Sequence, residues 1–241
     1  MKPDLLKASG IDQKLNAQLP LDLTFSNEAG QTVRLGEFFK GKPVVLALVY
    51  YECPMLCNMT LNGLIRSLRE IKLNAGEDYQ VVAVSINPRE TSHIAMAKKE
   101  SYMEKYQRRH ATDGFHFLTG KETNIQELAR VTGFRYAYDP LAKQYAHAAG
   151  IMLATPEGKL SRYFYGIEYP TRDLRLGLVE ASHNKIGGPV DQMLLYCYHY
   201  DPVTGKYGLM IQRLLQAMGS ATAIAVGMFV FINIRRERRL T

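Results

Sequence analysis

Pro43-Val44-Val45-Leu46-Ala47-Leu48-Val49-Tyr50-Tyr51-Glu52-Cys53-Pro54-Met55-Leu56-Cys57 is the stretch from which the rest of the chain is read. From Pro43 to Tyr51 it is almost continuously apolar and rich in valine and leucine, the pattern of a strand buried on both faces. It ends in a Cys-Pro pair and passes into helix-forming sequence, so the cysteines fall where a strand turns into a helix start. Four residues apart, Cys53 and Cys57 project from one face of that helix. The unpaired N–H groups and positive dipole end of a helix N-terminus favour thiolate over thiol. Two such thiols either bind a soft metal or cycle between dithiol and disulfide.

Downstream, Leu61, Leu64, Ile65, Leu68 and Ile71 recur at helical spacing, with Arg66, Arg69 and Lys72 between them. Gln80 to Ile86 reads as a second buried strand, closed by Asn87-Pro88. A helix follows over Ser92 to Gln107, capped by Ser92 or Thr91, then a short strand over Phe115 to Leu118. Thr123 to Thr132 is a helix stopped by Gly133. Gly150 to Ala154 and Leu160 to Gly166 flank the turn sequence Thr155-Pro156-Glu157-Gly158-Lys159 and predict an antiparallel hairpin. Thr171 to Ala181 is the last helix of the domain. Upstream, Leu21 to Phe25 and Gln31 to Leu35 flank Asn27-Glu28-Ala29-Gly30 as a further hairpin. The order β-α-β-α-β-β-α predicts an α/β fold, a mixed sheet flanked by helices in the thioredoxin arrangement. Ligands of such sheets gather at the carboxyl ends of the central strands, where the cysteine turn lies.

The 241 residues suit one domain of ordinary size with appendages. The net charge is +7, but the tail Arg235-Arg236-Glu237-Arg238-Arg239 supplies +3 of it. The remainder is an ordinary solvated surface, without the basic stripe and interleaved aromatics of a nucleic-acid binder. Three cysteines do not make a disulfide scaffold, and one Cys-x-x-x-Cys without a second pair lacks the four ligands of a structural zinc site.

The organisation expected is an extended lead-in over 1–19, the α/β domain over 20–182, a Tyr/Gly/Pro-containing tether over 183–213, a transmembrane helix over 214–234 and a basic tail over 235–241. No charge interrupts the chain between Arg213 and Arg235. Its most apolar part is at the short end of the ~17–25 residues a spanning helix needs. The four arginines after it belong on the cytoplasmic side, which sets the domain on the periplasmic side of a bacterial inner membrane. A buried core helix is the alternative reading of this stretch.

Several stretches together resemble the Sco/SenC family. Val44 to Cys57 is similar to its copper-site turn, and Val84-Ser85-Ile86-Asn87-Pro88-Arg89-Glu90-Thr91 to its next strand and loop. Leu118-Thr119-Gly120 recurs where the family has it, and Ala146-His147-Ala148 matches the position of its single histidine ligand. The likeness spans about residues 18 to 182; the family often has aspartate where this chain has Asn87. The resemblance implies a membrane-tethered, thioredoxin-like copper protein that helps assemble the copper centre of cytochrome c oxidase. Such a protein delivers copper, keeps the target's cysteines reduced, or does both. Cys53, Cys57 and His147 would be the ligands, and the partners would be the copper-bearing oxidase subunit and other copper chaperones or thiol reductants. A Cys2His set suits both copper(I) and copper(II).

Two other functions fit the residues. A thiol–disulfide oxidoreductase without metal would use Cys53 as the attacking thiolate and Cys57 as its resolving partner. A structural subunit of a respiratory complex would draw on the tyrosine-rich tether and the anchor. Cys197 and His199, in Tyr196-Cys197-Tyr198-His199-Tyr200, read first as part of a packed loop and second as a further metal or thiol contact. Met55 reads first as a space-filler beside the site and second as a weak thioether ligand, and His93, His110, His116 and His183 as surface or packing residues.

Overall fold

The computed structural model describes residues 8–53, 56–108 and 111–187 and, beyond them, 200–201, 206–207, 216, 219–220, 222, 226–228 and 235. The chain divides into two compact units, Met1–Gly187 and Gly188–Thr241. In the second, Tyr200–Asp201 pairs antiparallel with Lys206–Tyr207. Most of the expected tether and of the expected spanning helix over 214–234 lies outside the described residues, as do Cys197 and His199. Among the described residues no helix is long and apolar enough to cross a membrane.

The first unit is organised by the strand Val44–Val49, every residue of which is buried. Numbering strands along the chain, Gly10–Ile11 is β1, Thr24–Ser26 β2, Thr32–Arg34 β3 and Val44–Val49 β4. Gln80–Ser85 is β5, Phe115–Leu118 β6, Phe134–Asp139 β7, Gln144–His147 β8, Gly150–Ala154 β9 and Leu160–Tyr165 β10. The central sheet runs β10-β9-β4-β5-β6. β4, β5 and β6 are parallel, while β9 is antiparallel to β4 and β10 to β9. β4 has a partner on either edge and apolar cover on both faces, which is why its sequence shows no alternation.

The helices are α1, Leu56–Glu70; α2, Ser92–Tyr106; the single turn α3, Ala111–Gly114; α4, Glu122–Thr132; and α5, Thr171–Ser182. Leu61, Leu64, Ile65 and Leu68 bury the inner stripe of α1, each worth roughly 1.5–3 kcal/mol relative to exposure. Gln107 and Gly133 adopt left-handed backbone and end α2 and α4. This is a mixed α/β, thioredoxin-like fold, as the order of elements predicts.

Two departures from the sequence expectation bear on the site. The N-terminal hairpin is shorter, Thr24–Ser26 against Thr32–Arg34. Leu21 and Leu23 lend their carbonyls to the N–H groups of Gly36 and Leu35 instead of forming strand. Between Gly133 and Gly150, where sequence reading assigns no element, β7 and β8 form an antiparallel hairpin. β1 pairs with the other edge of β7 to give a separate three-stranded sheet. Aromatics at alternate positions of Phe134-Arg135-Tyr136-Ala137-Tyr138, followed by Asp139-Pro140, were its signal.

Gly63 fixes how α1 meets the segment before α5. A Cβ there would stand 1.8 Å from the Ile167 carbonyl oxygen, a backbone atom with nowhere to go. Gly63→Ala should cost about 3 kcal/mol in urea denaturation, the upper end for overpacking; an unchanged midpoint would mean that α1 is not held this closely.

Candidate functional site

After β4 the chain turns at once. The Cys53 N–H donates to the Tyr50 carbonyl at 3.4 Å, while the Ile86 N–H donates to the Val49 carbonyl at 2.7 Å and extends the β4–β5 ladder by one rung. The next two N–H groups, of Tyr51 and Glu52, both donate to the Glu90 carboxylate, each at 2.8 Å. Glu90 comes from the loop that follows β5 and is only 5% exposed. Its Oε2 also accepts the Ser85 hydroxyl at 2.5 Å. The Tyr51 phenol points into the sheet, where the carbonyls of Leu118 and Ala83 lie 2.8 and 3.0 Å from its oxygen.

The far side of the turn is held as firmly. The Cys53 carbonyl accepts from the Asn58 side-chain amide of α1 at 2.9 Å, and Lys98 of α2 donates to Asn58 Oδ1 at 3.0 Å. Cys53 is buried, with 6% of its surface exposed. Cys57 belongs to the first turn of α1. Its side chain, like Pro54 and Met55, lies outside the described residues.

His147 reaches the same end of the sheet by another route. It closes β8, paired across the hairpin with Tyr136, and its chain then enters β9. β9 runs antiparallel to β4 with Leu46 opposite Met152; four residues further, the same register would set Ala148 opposite Tyr50. The side chains bear this out: the His147 ring stands edge-on to Tyr50, with centroids 5.9 Å apart, and lies 5.9 Å from Phe134 on its other side. His147 is 9% exposed. Its Nδ1 lies 2.8 Å from the Ala148 carbonyl oxygen. A carbonyl only accepts, so Nδ1 carries the proton of this bond; in the neutral ring the lone pair then falls on Nε2, the tautomer of a metal-ligating histidine. Tyr50, three residues before Cys53, is thus the wall common to the thiol turn and the imidazole.

Of the three expected donors, the structure describes the side chains of Cys53 and His147. Among the described residues no three of His, Cys, Asp and Glu cluster as a metal site would. The other histidines are elsewhere. His116 is half-buried, its ring tilted against Phe38 with centroids 4.3 Å apart and its Nε2 2.9 Å from the Gln80 side-chain oxygen. Burial, with Lys99 and Lys40 nearby, lowers its pKa to about 4, so it packs as a neutral ring. His93 is exposed, and His183 caps the end of α5 through the Val179 carbonyl. His110 lies outside the described residues. The Asn87 side chain accepts the Arg89 N–H at 3.1 Å and shapes the loop that presents Glu90. Sequence reading missed Glu90, Asn58, Tyr50 and Phe134 as parts of the site. The available signal for Glu90 was a carboxylate in the loop leaving the neighbouring parallel strand, at the sheet end where such loops converge.

A thioredoxin-like sheet with a cysteine-bearing turn at β4 and a histidine delivered beside it defines a class of α/β thiol proteins. Within that class the chain belongs to the SCO1/SenC family, whose model matches residues 12–175. A solved structure from Aquifex aeolicus VF5 is similar with a TM-score of 0.63 at 19% identity, covering 71% of this chain and 95% of its own. ScoI of Arabidopsis thaliana, solved with copper bound, gives 0.55 at 22% identity over 67% of this chain and 96% of its own. BsSco, a member of the Sco family of cytochrome c oxidase assembly proteins in which a disulfide switch is identified, gives 0.53 at 22% over 72% and 99%. At these identities the likeness is one of fold. No curated protein matches the sequence.

Burial, the largest influence on Glu90, raises its pKa, and the nearby Glu52 adds to this; the Ser85 hydroxyl and the two loop N–H groups pull it back. The native state therefore binds this proton more tightly than the unfolded chain. The group's contribution to stability is complete below the ordinary carboxylate pKa and is lost as the pH rises through the raised native value. Glu90→Gln should destabilise the protein by about 1–3 kcal/mol, because a Gln amide cannot accept from all three donors. The deficit should narrow as the pH is raised from about 4 to 7; denaturation at both pH values with the same deficit would contradict the raised pKa.

Proposed function

We propose that this protein holds copper between Cys53, Cys57 and His147 as cargo for the copper centre of a cytochrome c oxidase. The observation that carries the reading is the His147 imidazole, its tautomer fixed by Ala148, standing against Tyr50 beside the Cys53 turn. A thiol and an imidazole are soft and borderline donors that suit copper; a site for magnesium or calcium would bring carboxylates instead. Membership of the SCO1/SenC family supports it, as do the copper in Arabidopsis ScoI and the oxidase-assembly role of the Sco family to which BsSco belongs.

Each residue has a definable task. Glu90 and Asn58 fix the backbone on either side of Cys53, so that the sulfur direction is set before any ion arrives. The Ala148 carbonyl holds the His147 proton on Nδ1 and aims Nε2 outward from that bond. Tyr50 and Phe134 flank the ring and limit water at it. When bound, copper supplies a soft cation that can change oxidation state. If the task is to reduce target cysteines, Cys53 and Cys57 give two electrons and two protons to the target's disulfide and close their own S–S bond.

The same reading anchors the chain in a cell inner membrane through residues 214–234, with the domain on the periplasmic side. The uncharged stretch before Arg235 supports this. So do Val226 and Met228, helical and more than half exposed, as lipid-facing side chains would be.

Anaerobic titration of the full chain with copper(I) should saturate at one equivalent, and Cys53→Ala should abolish binding. His147→Ala should weaken copper(II) binding at least ~10-fold, the scale on which lost support already costs metal sites, and should stop oxidase assembly in the cell. Undiminished copper binding by Cys53→Ala would refute the assignment. Assembly that survives His147→Ala but needs both cysteines would instead assign the protein to thiol exchange.

A further inference from the structure

The hairpin carrying His147 has one face made entirely of rings. In its register Tyr136 opposes His147 and Tyr138 opposes Tyr145. Side chains two apart on a strand share a face, so Phe134, Tyr136, Tyr138, Tyr145 and His147 all lie on one side. The rings touch in sequence: Phe134–Tyr136 at 6.4 Å, Tyr136–Tyr145 at 5.8 Å and Tyr145–Tyr138 at 5.1 Å. Tyr145 also touches Tyr50 at 5.6 Å, and Phe134 touches His147. The ladder therefore begins at the proposed ligand and ends at Tyr138, which is 39% exposed.

Its four non-histidine rings floor a surface groove of ≈ 600 Å³ walled by α4 and by the Pro88-Arg89 loop. Three arginines and one glutamate line it. Arg130 is paired with Glu127 and Arg135 with Asp12. Glu122 accepts from Gln126 within α4. Arg89 is exposed and forms no ion pair among the described residues. Its guanidinium carbon lies 5.7 Å from the Tyr138 ring centroid, which orients its planar donors at the groove's outer end.

Resting on the copper-delivery reading above, we infer that this groove seats an extended segment of the copper-bearing oxidase subunit, apolar along its length and carrying a carboxylate at the end that meets Arg89. Alternate rings of one strand stand about 7 Å apart, the repeat of an extended peptide's own side chains. Stiff aromatic faces bury area at small entropic cost, and an orienting arginine suits a carboxylate. A segment laid along the strand from Tyr138 to Phe134 passes both neighbours of the donor set: Tyr145, which faces Tyr138 and touches Tyr50, and Phe134, which touches His147. The groove thus aligns the receiving protein with the donor set.

The test measures binding of the full chain in detergent to the soluble domain of the copper-bearing oxidase subunit from the same cell. The variants are Arg89→Glu, Tyr138→Ser and, as a charge control on the outer face of α5, Arg175→Glu. All three positions are exposed. Arg89→Glu and Tyr138→Ser should each weaken binding about tenfold or more, equivalent to 1.4 kcal/mol. The control should behave as wild type, and copper stoichiometry should stay at one equivalent in all three. Wild-type affinity in Arg89→Glu and Tyr138→Ser would overturn the groove while leaving the copper reading intact. So would weakening in Arg89→Glu alone, which is charge steering. Self-association of the chain that both substitutions abolish would give the groove to a second copy and overturn the inference. A wild-type chain that binds copper but not the oxidase domain would overturn the choice of partner and the groove's role with it.

Discussion

The geometry of this protein depends on the Glu90 carboxylate meeting two consecutive backbone N–H groups at the end of β4. Leaving a strand abruptly strands the N–H groups of Tyr51 and Glu52, and a buried unpaired donor costs roughly 1–3 kcal/mol. One carboxylate from the adjacent parallel strand's loop satisfies both and is itself steadied by Ser85. The burial that raises the Glu90 pKa opposes this arrangement, and three donors to one carboxyl group oppose the burial. The outcome is a turn that cannot relax without exposing or orphaning a charge. That suits a thiol whose direction must be the same with and without an ion bound.

The second constraint is the sheet register. Antiparallel pairing of β9 with β4 makes the chain arrive at the cysteine end just before it enters β9. Any residue just before β9 is therefore delivered to the thiol turn, and here that residue is His147. The hairpin of β7 and β8 then acts as a lever: it holds His147 on its ring face and brings Phe134 against it. Fold and site are the same set of strand pairings seen from two ends.

Much of this was legible in the sequence for a physical reason. A strand buried on both faces has an unmistakable composition, as Val44 to Val49 shows, and Gly133 stops its helix because only a left-handed residue fits there. Cys53 announced itself by following that strand. His147 did not: a lone histidine between alanines has no periodicity, and only the family resemblance singled it out. Glu90 and Asn58 were illegible as site residues because their task is to bond backbone atoms 38 and five residues away, and backbone donors leave no trace in composition. The β7–β8 hairpin is harder to read because its alternation rests on only three aromatics, Phe134, Tyr136 and Tyr138, in a six-residue strand. The anchor expected over 214–234 rests on the sequence, through the uncharged run before Arg235, since most of that run lies outside the described residues.

The central claim is that two sulfurs and one imidazole converge on a single soft ion. X-ray absorption at the copper edge of the copper(I)-loaded full chain measures that donor set directly. The account predicts two sulfur neighbours and one imidazole nitrogen, with the outer-ring scattering of the imidazole absent from His147→Ala. A spectrum with sulfur neighbours alone, or one unchanged by that substitution, would contradict it.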